Sequence, residues 1–260
     1  MNKIAQTIDF HRFGLLVRKF IIENGRRFAL QFGGMTLAMI LVFVFDTYNS
    51  YQVTSGEKLV MAAIVTFIYG LVIASGMFRS MGRPVTALST LTCPASQFEG
   101  FMLRWLIAVP LFLLWAYVSA LIADVASWVC CSICDKEMVW IDWKSIFEIT
   151  GYEWDSFDRF DSMILSFMSN FLFIQSFFLL GGIVWSRNHA LKTFGALFVI
   201  WSVYMVCLLS VAALFINGQY FFNKTLPLGL LGMIGRIAGT LFNYLLTYMR
   251  FREAEVINRW

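Results

Sequence analysis

Six uninterrupted apolar runs govern this chain, each about 20 residues long, the length that carries a helix across roughly 30 Å of hydrocarbon. They cover about residues 28–45, 59–78, 105–123, 163–185, 193–215 and 226–249, and none contains Asp or Glu. In lipid the backbone must satisfy its own polar groups, so such runs are read as helices. With 59% of residues hydrophobic and only 14% charged, no sizeable soluble domain fits between them. The expected fold is all-α: a polytopic membrane protein, one transmembrane domain over residues 1–260, with six spans and both termini cytoplasmic.

Positive charge flanking apolar spans marks the cytoplasmic side. The N-terminal segment, the second-third loop, the fourth-fifth loop and the C-terminal tail together hold fourteen Lys and Arg residues. The alternate loops hold five: Lys58, Lys136, Lys144, Arg159 and Lys224. The bias agrees at every loop and places both ends inside. Residues 1–27 are polar and basic, which predicts no cleavable signal. Within them, residues 8–24 form an amphipathic pattern. Phe10, Phe13, Leu16, Val17, Phe20 and Ile21 share one face, and His11, Arg12, Arg18, Lys19 and Glu23 the other. This predicts an interfacial helix in the inner headgroup layer, broken from the first span at Asn24-Gly25.

The second-third loop holds a second signal. Ser96-Gln97-Phe98-Glu99 matches a capping box, in which the Ser hydroxyl accepts from the Glu amide and the Glu carboxylate accepts from the Ser amide. Pro94 keeps Cys93 out of the helical region. A helix is therefore predicted to start at about Ser96 and run into the third span, which is expected to kink at Pro110. The third-fourth segment, 124–162, is the one long outer loop, with nine acids and three bases. Its interleaved aromatics and acids predict helices lying on the outer interface. Cys130, Cys131 and Cys134 are expected as plain thiols there, a disulfide being the alternative.

Several classes are excluded. There is no Gly-rich phosphate loop followed by Lys-Ser/Thr, no HExxH and no GxSxG. Both histidines, His11 and His189, lie outside the apolar runs. With no carboxylate expected in the spans, neither intramembrane catalysis nor cation coupling has its groups. No enzyme activity, metal site, cofactor or nucleic-acid partner is expected.

The sixth run carries a polar stripe. Gly229, Gly232, Arg236, Thr240, Asn243 and Thr247, with Thr225 before them, recur at spacings of three and four. Arg236 lies about 15 Å into the span, where an arginine costs at least ~2.5–3.5 kcal/mol. Backbone carbonyls, Asn170, Gln175, Asn243, water or an anionic ligand are its available partners. The stripe is either a packing seam, with Gly235 and Gly239 assisting, or the lining of a path for an anionic or headgroup-bearing substrate.

Taken together, the basic helix before the first span, the capped helix before the third, WSRNHALKTF before the fifth and the tail YMRFREAEVINRW form a collinear set. The local anchors are LTCPASQFEGFMLRW, RNHALKTF and FREAEV. The set resembles the permease subunits of type-2 ABC exporters, the small bacterial six-span members in particular. The resemblance implies a bacterial inner-membrane transport subunit that pairs with a second permease subunit, as homodimer or heterodimer. Separate ATP-binding subunits would hydrolyse ATP beneath the pair. It further implies Phe10–Ile22 as the interfacial helix and Ser96–Arg104 as part of the coupling element, with Ser96, Gln97, Glu99 and Arg104 as ATPase-coupling residues. The chain departs from that pattern in its long third-fourth loop and its fifth-sixth loop of about ten residues. The alternative is a non-transporting membrane interaction or regulatory protein that keeps the same fold.

Overall fold

Two helix starts are built from the same local chemistry. Thr54 accepts from the Glu57 amide at 3.3 Å while its own amide donates to Glu57 Oε2 at 3.2 Å. Ser96 and Glu99 make the same reciprocal pair. The computed structural model describes residues 9–49, 54–78, 96–134, 139–141, 163–185, 189–215 and 228–257. Its helices are α1 (Phe10–Asn49), α2 (Ser55–Gly76), α3 (Gln97–Leu106), α4 (Phe112–Ile133), α5 (Met163–Val184), α6 (His189–Phe215) and α7 (Leu228–Ile257). A π-helical segment, Ile107–Leu111, fuses α3 and α4 into one rod of 37 residues. Among the described residues there is no strand.

Four helical stretches are long and apolar enough to cross a membrane: Phe10–Asn49, Ser55–Gly76, Gln97–Ile133 and Phe167–Val184. A shorter apolar stretch, Ala190–Val203, belongs to α6. The protein is thus a helical membrane protein by the length and composition of its helices.

The core runs along facing stripes. Met35, Met39 and Phe43 of α1 are buried, and so are Phe112, Ala116, Ala120 and Ala123 of α4. The alanines recur at helical spacing and let the two backbones approach closely. α1 and α4 run parallel, tied by Thr36 and Ser119 hydroxyls at 2.9 Å and by Trp115 Nε1 donating to the Phe32 carbonyl at 3.2 Å. On the other side, Phe171 of α5 packs on Phe112 and Phe67. Gly70 of α2 makes room for it, since a Cβ there would stand 2.6 Å from the Phe171 ring.

Two sequence expectations are corrected. The first is the break at Asn24-Gly25: α1 runs unbroken for 40 residues, about 60 Å at 1.5 Å per residue. A glycine inside a helix costs only about 1 kcal/mol. Against that, rings contact across the site: Phe20 with Phe28 at 5.6 Å, Phe28 with Phe32 at 6.1 Å, and Phe32 with Trp115 at 5.5 Å. Each such pair contributes roughly 0.5–1.5 kcal/mol beyond its area, so the ladder outweighs the glycine. The Asn24 amide also turns back onto the Phe20 carbonyl rather than ending the helix. Of the predicted apolar face, Phe13, Leu16, Val17 and Phe20 pack on the bundle, while Phe10 and Ile21 are exposed. This segment is the start of α1 and not a separate helix.

The second correction is the end of the third run. The helix continues past Ala123 to Ile133, so Asp124 and Cys130 through Ile133 are helical. Among the described residues Cys130, Cys131 and Cys134 form no disulfide. The expected interfacial helices in 142–162 and the loop residues 79–95 lie outside the described residues.

Candidate functional site

The residues around Ser96 gather at one end of the bundle. Glu99 is fully buried and works at both carboxylate oxygens. Oε2 accepts from the Ser96 amide at 2.9 Å, and the Glu99 amide donates to Ser96 Oγ at 3.2 Å. Oε1 accepts from the Asp9 amide at 3.0 Å and stands 3.6 Å from the Arg12 guanidinium. Asp9 itself caps α1, its Oδ1 accepting from the His11 amide at 3.0 Å. One carboxylate therefore starts α3 and holds the start of α1 against it.

Arg104 lies one and a half turns further along α3. It is buried, with its guanidinium 5.7 Å from the Phe78 ring and 5.2 Å from the Phe251 ring. Cation–ring contacts that are desolvated reach about 2 kcal/mol. Its Nη1 donates to the Gly100 carbonyl at 3.0 Å. Phe101 packs beside it on Phe78, Tyr248 and Phe251. The short helix thus joins the start of α1, the end of α2 and the end of α7. Of the four predicted coupling residues, Glu99 and Arg104 face inward, and Ser96 and Gln97 are partly exposed. A contact with another protein at this segment would run through Gln97 and the helix start, with Glu99 and Arg104 acting from behind.

The expected kink at Pro110 is a π turn. Proline has no N–H to give. Within this turn the Ala108 carbonyl accepts from the side-chain amide of Gln175 of α5, which is fully buried, at 2.7 Å. A buried glutamine on an apolar run was a legible signal, though its target was not.

The stripe on α7 divides in two. Thr240, Asn243 and Thr247 are buried. The Asn243 amide donates to Ser176 Oγ at 2.9 Å, and Gly239 faces the Phe173 ring, where a Cβ would stand at 2.5 Å. This half is a seam against α5. Gly232 and Gly235 face open space. Gly229 lies in the first turn of α7. Arg236, half-buried, turns to neither Gln175 nor Asn243, and its Nε is buried without a hydrogen-bond partner among the described residues.

Sequence reasoning missed a third cluster, at the opposite end. Lys58, assigned to a loop, sits in the first turn of α2, and Asp124 is inside α4. Lys58 Nζ meets Asp124 Oδ1 at 2.9 Å, with both side chains buried. A buried carboxylate therefore stands one residue past the run 105–123, which itself holds none. The signal was present, because Lys58 and Asp124 each abut an apolar run, but the pairing spans 66 residues. Among the described residues no group of His, Cys, Asp and Glu could hold a metal ion. No protein-family model matches the chain, and no curated protein or solved structure shows significant similarity to it.

Proposed function

We propose that this chain is the membrane-spanning permease subunit of an ABC-type exporter in a bacterial inner membrane. It would work beside a second permease subunit, with ATP hydrolysed by separate ATP-binding partners. The α3 junction is the observation that carries this reading. A short helix with a fixed start is bonded to α1 through Glu99, ring-packed through Arg104 and Phe101 to α7 and to Phe78 just past α2, and fused to a membrane-length rod. A force applied at its start reaches three other helices at once. Closure of the partners would turn the permease halves as rigid bodies. The charge bias of the loops supports six crossings with the Glu99 junction and both termini on the cytoplasmic side. The exposed half of the α7 stripe, with Arg236, fits a path for an anionic or headgroup-bearing substrate.

The test is copurification of the detergent-solubilised chain with an ATP-binding subunit encoded beside its gene. Assembly should stimulate ATP hydrolysis, and Gln97→Ala should weaken the association without reducing membrane insertion. A chain that binds no ATP-binding subunit sinks the exporter reading. The second reading, a non-transporting membrane interaction protein, draws on one observation: α1 is unbroken where the resemblance implies a separate interfacial helix.

A further inference from the structure

We propose that Lys58 and Asp124 form an ionic latch that holds residues 139–141 against the end of the bundle away from Glu99, so that this end opens only when the pair parts. The geometry is complete. The three donors of the Lys58 ammonium go to Asp124 Oδ1 at 2.9 Å, Ser127 Oγ at 2.9 Å and the Val139 carbonyl at 2.7 Å. The second carboxylate oxygen of Asp124 accepts from the Ile141 amide at 3.2 Å. Ser127 donates to the Asp124 carbonyl at 2.8 Å. Lys58 is 3% exposed, Asp124 2% and Ile141 4%.

Joining α2 to α4 does not by itself require charge. Well-packed apolar side chains do that at least as well, because a buried ion pair regains little more than its desolvation costs. Apolar side chains cannot grip a backbone. Here the ammonium takes the carbonyl of residue 139 and the carboxylate takes the amide of residue 141, so the pair reads two backbone groups of one short strap. Ile141 plugs the core beneath, and Trp140 between them stays half-exposed. Parting the ions strands two buried charges, so the latch has a closed state and an open, water-filled one, with little between.

The position fits an end closure. Gly76 at the other end of α2 accepts from Arg27, and the eighteen residues back to Lys58 span about 27 Å. That is nearly the thickness of the hydrocarbon layer, ~30 Å. The latch then sits at the far boundary, with more than two turns of α4 standing beyond it. It holds whether or not the chain exports anything, and it fails separately from that reading.

Hydrogen exchange of the full chain in lipid nanodiscs, resolved to the Ile141 amide, tests the proposal. The native amide should be protected. Lys58→Met and Asp124→Ala should each speed its exchange at least about tenfold, with α5 unchanged. Because a lone buried charge can prevent folding, the double variant Lys58→Met with Asp124→Leu is the decisive one. It removes both charges and keeps apolar packing, and it should still lose the protection. Protection that survives in the double variant shows that Ile141 packing alone holds the strap and overturns the latch. Exchange of the native Ile141 amide at its unprotected rate overturns it too.

Discussion

Replacing Glu99 by Ala should loosen α1 from α3 without dismantling the bundle. The substitution removes acceptors from two backbone amides, those of Ser96 and Asp9. Hydrogen bonds to a charged acceptor contribute about 1.5–3 kcal/mol each. Asp9 is exposed and its amide regains water, so most of that contribution returns. Ser96 is partly buried and loses its share of the capping box as well. The Arg12 side chain is 40% exposed, and at 3.6 Å its attraction to Glu99 is largely screened, adding roughly 0–1 kcal/mol. The sum is about 2–3 kcal/mol. Read as local opening, that is an exchange rate roughly 30- to 150-fold faster for the first turns of α1 and α3. Hydrogen exchange with mass spectrometry on the chain in nanodiscs measures it, with residues 112–123 as the internal reference. Gln97→Ala, at the same helix start, should leave the rates alone. Unchanged exchange in Glu99→Ala at both helix starts would refute the two-oxygen account of the junction.

Gly181→Ala should disrupt the α5–α6 contact, because a Cβ there collides with the Thr193 side chain; combining it with Thr193→Gly should recover thermal stability in detergent. Asn243→Ala removes the bond to Ser176 and should cost about 0.6–1.7 kcal/mol in a membrane bundle, read as a lower melting temperature without loss of membrane insertion. Arg236→Gln should leave expression and assembly unchanged and alter transport or substrate-stimulated ATP hydrolysis. Lost assembly would return Arg236 to a packing role, and a silent Arg236→Leu would dismiss both.

The start of α3 was legible because a capping box is local: Ser96 and Glu99 meet within one turn, and their identities alone specify the bonds. The same signature at Thr54 and Glu57 is equally local. The run at 163–185 also matches α5 to within a residue, because hydropathy along one helix is read without a distant partner. Where the reading failed, a distant partner decided. Asn24-Gly25 would end an isolated helix, but the ladder from Phe20 to Trp115 draws on a residue 83 positions past Phe32. Asp124 looks like the solvated end of a span until Lys58 is placed beside it. The α7 stripe was visible from spacing, yet only the position of α5 divides it into a seam and an open half. Glu99 and Arg104 were identified without the knowledge that both face inward, because burial at a helix start depends on what α1 and α7 place over it.

The π turn at Ile107–Leu111 sets the phase of the whole rod. An α-helix advances 100° per residue, and one added residue in a single turn rotates everything before it by about that angle relative to everything after. With the turn in place, Glu99 points at Asp9 and Arg104 at Phe251 while Ser119 points at Thr36 and Asp124 at Lys58. In a regular helix these two sets could not both face their partners. Deleting one residue between Ile107 and Leu111 shortens the rod by only about 1.5 Å, yet it swings the first three turns by more than a quarter revolution. The rod therefore tolerates a change of side chain here far better than a change of count, and Gln175, bonded to the Ala108 carbonyl, holds that count from the neighbouring helix.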